Sequence, residues 1–165
     1  MRTSAVHAAI LAAVALFRAE AALSTVDVID GPPFEWNPLR VPEQRGDGRR
    51  YLFVGATPDG DDGDAATGSQ AFGGTGGAAR SRDERFAITS TALVLDGGQD
   101  APAVRAELFS LLSVVETVLL SHVDLSGAVL YSEFGGVEKL KQFYGDHGLT
   151  VSAQFDIACR AYLTS

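Results

Sequence analysis

Asp59, Asp61, Asp62 and Asp64 form the densest run of possible metal ligands in the chain. Closely spaced carboxylates suit a hard cation such as calcium, which is held by oxygen. The spacing fails an EF-hand loop, however. That loop needs an acid or Asn five positions in, a Gly next and a Glu at the twelfth. Counted from Asp59, those places hold Gly63, Asp64 and Gln70. A solvated acidic loop is the expectation. Gly74-Thr75-Gly76-Gly77-Ala78-Ala79 resembles a dinucleotide fingerprint only as a string. No strand pattern feeds it and no periodic helix opens after it, so a phosphate cradle is not expected there. His7, His122 and His147 lack metal-ligand spacing, and there is no P-loop or nucleophile elbow. Cys159 falls on the inward side of an alternating strand, without the electropositive setting that activates a thiol. The expectation is a protein with no catalytic residue, no cofactor and no metal.

Charge is more informative. The chain has 21 acidic against 13 basic residues, a formal net charge of −8. That balance disfavours a protein that grips nucleic acid, which needs Lys and Arg clustered on one face. The basic concentrations are Arg49 with Arg50, and Arg80, Arg82 and Arg85. They pair within the chain, with Asp83 and Glu84 as neighbours, or they meet an acidic partner surface such as another copy. A hydrophobic content of 46% in 165 residues allows one domain with a real core. A lone cysteine forms no internal disulfide, which points to a reducing compartment.

The elements that hold these residues can be read from periodicity. From Leu149 to Leu163 every odd residue is apolar (Leu149, Val151, Ala153, Phe155, Ile157, Cys159, Ala161, Leu163) and the even ones are mostly polar. Alternation of this kind is a strand with one buried face. At about 3.3 Å per residue it would reach roughly 50 Å, far longer than an ordinary strand. It therefore bends at a bulge or crosses to a neighbouring chain, with Phe155, Ile157, Arg160 and Tyr162 as the candidate inter-subunit residues. Val104, Leu108, Leu111, Leu112, Val115, Val118 and Leu119 share one stripe at helical spacing, ending near His122. Asp100 and Pro102 mark the start of that helix. The Ala-rich segment 1–22 is expected to be a helix with Val6, Ile10, Val14 and Phe17 on one stripe. Its alternative is a signal peptide, with Ala19-Glu20-Ala21 as the cleavage site.

Strands are expected at Thr25–Ile29, Tyr51–Val54, Glu84–Leu95, Gly127–Tyr131 and Val137–Phe143, the last turning through Gly145–Gly148 into the final strand. Ser132–Gly136 reads as loose. Thr57–Arg82, rich in Gly and Asp, reads as a flexible loop that orders only against a partner. Its candidate contact residues are Asp59, Asp61, Asp62, Asp64, Gln70, Phe72, Arg80 and Arg82. The whole is expected to be a single α+β domain over 1–165, a mostly antiparallel sheet with two helices packed on one face.

Several stretches, in order, resemble the tail terminator proteins of long-tailed (siphovirus-type) bacteriophages, particularly those of actinobacteriophages. They are the Ala-rich first helix, VDVIDGPP at Val26–Pro33, YLFVGATPDGDD at Tyr51–Asp62, and SQAF at Ser69–Phe72 before RDERFAIT at Arg82–Thr89. The helix Arg105–His122 and VSAQFDIACRAYL at Val151–Leu163 complete the set. VEKLKQFYGDHG at Val137–Gly148 departs from the more acidic, Gln-rich hairpin of that family. The resemblance implies a structural virion protein assembled in the host cytoplasm. It would form a ring, commonly a hexamer, that caps the head-proximal end of the tail tube. Its implied partners are further copies of itself, the tail tube protein and the head-tail stopper proteins of the neck, with no membrane. Genomic DNA would pass through the lumen without specific binding, which an acidic ring favours. Another neck or tail-completion virion protein of the same fold, or a small secreted domain, are the alternatives.

Overall fold

The computed structural model describes residues 3–31, 49–56, 64–73, 81–98, 100–145 and 148–164. The chain runs α1 (Val6–Ala19), a single 3₁₀ turn (Ala21–Leu23), β1 (Asp27–Asp30), β2 (Arg50–Val54), β3 (Ala66–Gly73), β4 (Ser81–Asp96), α2 (Ala101–Ser121), β5 (Tyr131–Gly145) and β6 (Gly148–Thr164). The six strands make one sheet in the order β1-β2-β4-β6-β5, and β3 pairs with β4. β1 and β2 are parallel and every other pairing is antiparallel. This is the α+β class expected from the alternating and helical patterns.

The great length of β6 has a simple solution within the chain. β4 pairs with it from Ser81↔Thr164 to Asp96↔Leu149, and β5 pairs along its other edge from Tyr131↔Arg160 to Gly145↔Gly148. Both edges of β6 are therefore filled. Its odd residues point into the main core with Phe86, Ile88, Ala92 and Val94 of β4, under α1 and α2. Phe155 and Ile157 are fully buried there. The expectation that they reach a neighbouring chain is corrected, because a strand between two others has no free ladder to offer. The bulge lies in β5, with register shifts on either side of Val137.

α2 begins where the sequence indicates. The Asp100 carboxylate accepts from the Ala103 N–H at 3.3 Å, with Pro102 in the first turn. The expected stripe of seven apolar residues is the buried face. In α1 the buried residues are Ala9, Ala13, Val14 and Phe17, while Val6 and Ile10 lie at the margin. Alanines occupy the closest approach because the helix sits tightly on the sheet. Ion pairs and hydrogen bonds tie the layers. Arg50 reaches Glu107 at 2.6 Å, Arg18 donates twice to the Val28 carbonyl, and Arg105 donates to Gln142.

Three expectations change. Gly127–Leu130 belongs to the turns after α2, where Leu125, Ser126 and Gly127 all have positive φ (47°, 57° and 82°). Leu125, fully buried, anchors that turn. Ser132–Gly136 is part of the strand, so β5 runs unbroken where two elements were expected. Within the stretch read as a flexible loop, Ala66–Gly73 is a strand, hydrogen-bonded to Ser81–Ile88. Thr57–Gly63 and Gly74–Arg80 lie outside the described residues.

Gly68 makes the β3–β4 pairing possible. A Cβ there would stand 2.7 Å from the Phe86 Cβ and 2.8 Å from the Arg85 carbonyl oxygen. Both neighbours belong to the sheet and have little room to give. Gly68→Val is expected to cost about 1–3 kcal/mol through overpacking. Amide hydrogen exchange should show lost protection confined to β3. Unchanged protection at Ser69–Ala71 would contradict the pairing.

Candidate interaction surface

The expected contact residues separate into three groups. Asp59, Asp61, Asp62 and Arg80 lie outside the described residues. Asp64 is exposed two residues before β3, and Phe72 stands in β3 opposite Arg82. Gln70 and Arg82 join a network that the sequence does not advertise. The Gln70 amide donates to Glu84 Oε1 at 2.8 Å and to the Thr3 carbonyl, while its own oxygen accepts from Arg82. Glu84 also accepts from Ser4 Oγ and from the Ala5 N–H, both at 2.7 Å. This buried carboxylate thus receives the N-terminus of α1. These bonds tie β3 and β4 to the start of α1, and Gln70, though exposed, has its amide engaged by them.

Arg160 and Tyr162 lie on the sheet face away from the helices. Arg160 grips the Asp83 carboxylate with two bonds of 3.0 Å and passes over the Tyr162 ring at 5.6 Å. The hydrogen bond from Arg160 holds the Asp83 carboxyl below the ordinary range. Close by, the Tyr131 hydroxyl donates to Glu133 at 2.6 Å, which pushes its own pKa up. An open depression of about 550 Å³ lies among Thr67, Ser69, Arg85, Tyr131, Glu133 and Arg160. Its bottom is flat sheet and most of its charges are paired, so it offers little to a small ligand.

Burial pushes the Cys159 thiol up to about 12, so this sulfur stays protonated and inert at neutral pH. Asp156, on the face away from the helices, is also pushed up, first by burial and then by the Glu138 carboxylate beside it. Among the described residues no cluster of His, Cys, Asp or Glu could hold a metal ion, and no helix is long and apolar enough to cross a membrane.

The exposed apolar residues are concentrated elsewhere, and sequence reasoning missed their meaning. β5 ends the sheet and carries Tyr131, Val137, Leu140, Phe143 and Tyr144, all at least 39% exposed. Beside it α2 exposes Phe109 and Leu120. Among the described residues no strand pairs with the outer side of β5, and fifteen residues of edge strand with an apolar border form an aggregation hazard unless something covers them. The signal was present in VEKLKQFY, whose alternation is weaker than that of β6 because both faces at a sheet edge stay half wet. Compared with models of protein families and with curated proteins, the sequence matches none.

Proposed function

We propose that this chain is a structural virion protein, a tail terminator whose copies close into a ring on the head-proximal end of a phage tail tube and join it to the neck. The observation that carries the reading is the long edge strand β5 with its exposed apolar residues. An edge of that kind suits a subunit that is finished only by its neighbours. The charged depression, the protonated Cys159 and the paired Arg160–Asp83 suit a scaffold better than a reaction centre. The ordered resemblance along the sequence supplies the particular assembly. A net charge of −8 per copy favours a lumen along which DNA slides.

The test is genetic and visual. A phage whose copy of this chain is stopped early should give filled heads and tails that remain unjoined and irregular in length. Purified protein added to that lysate should restore joined particles. Normal particles from the stopped phage would end the reading, and so would a restored particle with the protein located away from the tail's upper end.

A further inference from the structure

β5 departs from a regular ladder where it passes Asp156 of β6. The register runs in step to Phe134↔Ile157, then resumes at Val137↔Phe155 and Lys139↔Gln154. Gly135 and Gly136 thus share the place opposite Asp156, and Glu138 has no ladder partner. Gly135 permits a close approach, since a Cβ there would stand 3.0 Å from the Asp156 carbonyl oxygen and 3.3 Å from its Cβ. Gly136 then turns the chain with a φ of 94°. The bulge brings the Glu138 carboxyl back within hydrogen-bonding reach of the Asp156 carboxyl.

Two carboxyl groups bond to each other only when one of them carries a proton. Asp156 Oδ1 is buried without a hydrogen-bond partner, so a charge on this residue is poorly compensated. Thr89 of β4, directly opposite, supplies one hydrogen bond. Among the described residues the nearest charged side chains on this face are Glu133, opposite Ala158, and Lys139, opposite Gln154. Arg85 and Arg160 stand one row beyond Glu133, and β4 places only Ala87, Thr89 and Thr91 near the pair. One acid and one base therefore flank the two carboxyls and leave their own repulsion standing. Burial, and then the Glu138 carboxylate, push the Asp156 carboxyl above its ordinary range, as expected of such a pair.

We propose that Asp156 and Glu138 share one proton across the bulge, as a latch that holds β5 on β6 in mild acid and slackens as pH rises. β5 borders the sheet, so the latch sets how firmly that edge is held for whatever meets it. It belongs to the single chain and needs no assembly. The sign follows from linkage. A carboxyl whose pKa rises on folding contributes stability below its unfolded value and loses it as pH climbs through the folded one.

Amide exchange of the full chain, corrected for the intrinsic effect of pH, tests the latch. Protection of the β5 and β6 amides around Glu138 should fall at least about threefold between about pH 5 and about pH 8. Asp156→Asn carries a permanent donor to Glu138, so its protection should stay flat at the acid level. Glu138→Gln, at an exposed position, should flatten the profile too by donating to the Asp156 carboxylate. Wild-type protection that is flat or rises over this range would overturn the latch. An unaltered fall in either variant would do the same, because repulsion within the pair would not be its cause. Carboxyl carbon NMR gives a second readout. The pair should titrate in two coupled steps, the upper one above the ordinary carboxylate range, and two independent titrations would also overturn the proposal.

Discussion

Phe155→Ala should destabilise the isolated chain by about 3–5 kcal/mol, among the largest single losses available in a domain this size. Phe155 is fully buried and stacks on Phe134 with ring centroids 5.1 Å apart. Its ladder partners are Ser90 on β4 and Val137 on β5, so it spans the centre of the sheet beneath the helices. Truncation opens a cavity beside the Ser90 hydroxyl, which is buried without a hydrogen-bond partner. That hydroxyl limits how well the cavity can close or stay dry. Tyr162→Ala, seven residues along the same strand but half exposed on the other face, should shift stability by no more than about 0.5 kcal/mol. Urea unfolding of dilute monomer reads both as midpoint shifts at constant slope. Equal small shifts would mean that Phe155 belongs to an interface absent from the monomer, the role that strand length alone suggested.

That contrast marks where the sequence is legible. β6 and α2 announce themselves because one face of each is buried by the chain's own core, which imposes a strict period on the apolar residues. β3 does not, since Thr67–Ala71 is exposed. Its strand form is imposed by the open half of β4's ladder, and the space is made by Gly68. Here tertiary context sets the conformation and composition misleads. The turn at Leu125–Gly127 fails for a related reason, because Leu and Ser rarely adopt positive φ and nothing local foretells it. A second small cluster, Tyr51, Phe53, Leu93 and Leu95 with Ile29, lies on the face away from the helices. The unbroken apolar YLFV was its only sign, since a strand buried on both faces loses its alternation. The interaction surface was the least legible part. The length of β6 pointed to a bend or to a strand that leaves the domain, whereas among the described residues both its sides are paired and β1, β3 and β5 are the border strands. In the sequence Ala66–Gly73 reads as part of a loop, and Val137–Phe143 as a strand in a hairpin but not as the border of the sheet.

Glu84→Ala should cost about 2–3 kcal/mol at neutral pH, and its cost should shrink in acid. Local capping of α1 is slight. Its N-cap residue Ala5 has no side-chain acceptor, no acidic residue stands in the first turn, and Ser4 Oγ accepts from the Val6 N–H at 3.1 Å. Orphan N–H groups and the positive end of the helix dipole would then be left facing the sheet. Glu84, 79 positions later on β4, supplies the missing acceptor to Ala5 and binds Ser4 and Gln70 as well. Burial acts to raise its pKa, but the hydrogen bonds from Ser4, Ala5 and Gln70, with Arg82 nearby, outweigh that and hold it below the ordinary glutamate range. A carboxyl whose pKa falls on folding contributes stability above its unfolded pKa and loses it as pH drops through the folded one. The wild type should therefore lose this contribution only in acid, and the gap between wild type and variant should close there. Glu84→Gln keeps one acceptor oxygen but turns a second acceptor into a donor, so at neutral pH it should fall between wild type and Glu84→Ala, at about 1 kcal/mol. Measured against pH by urea unfolding, a gap that stays constant into strong acid would show that the charge is not what holds the helix. With the charge gone, α1 should fray from its first turn, releasing Ala5 and Ala9 from the core before the rest of the sheet unfolds.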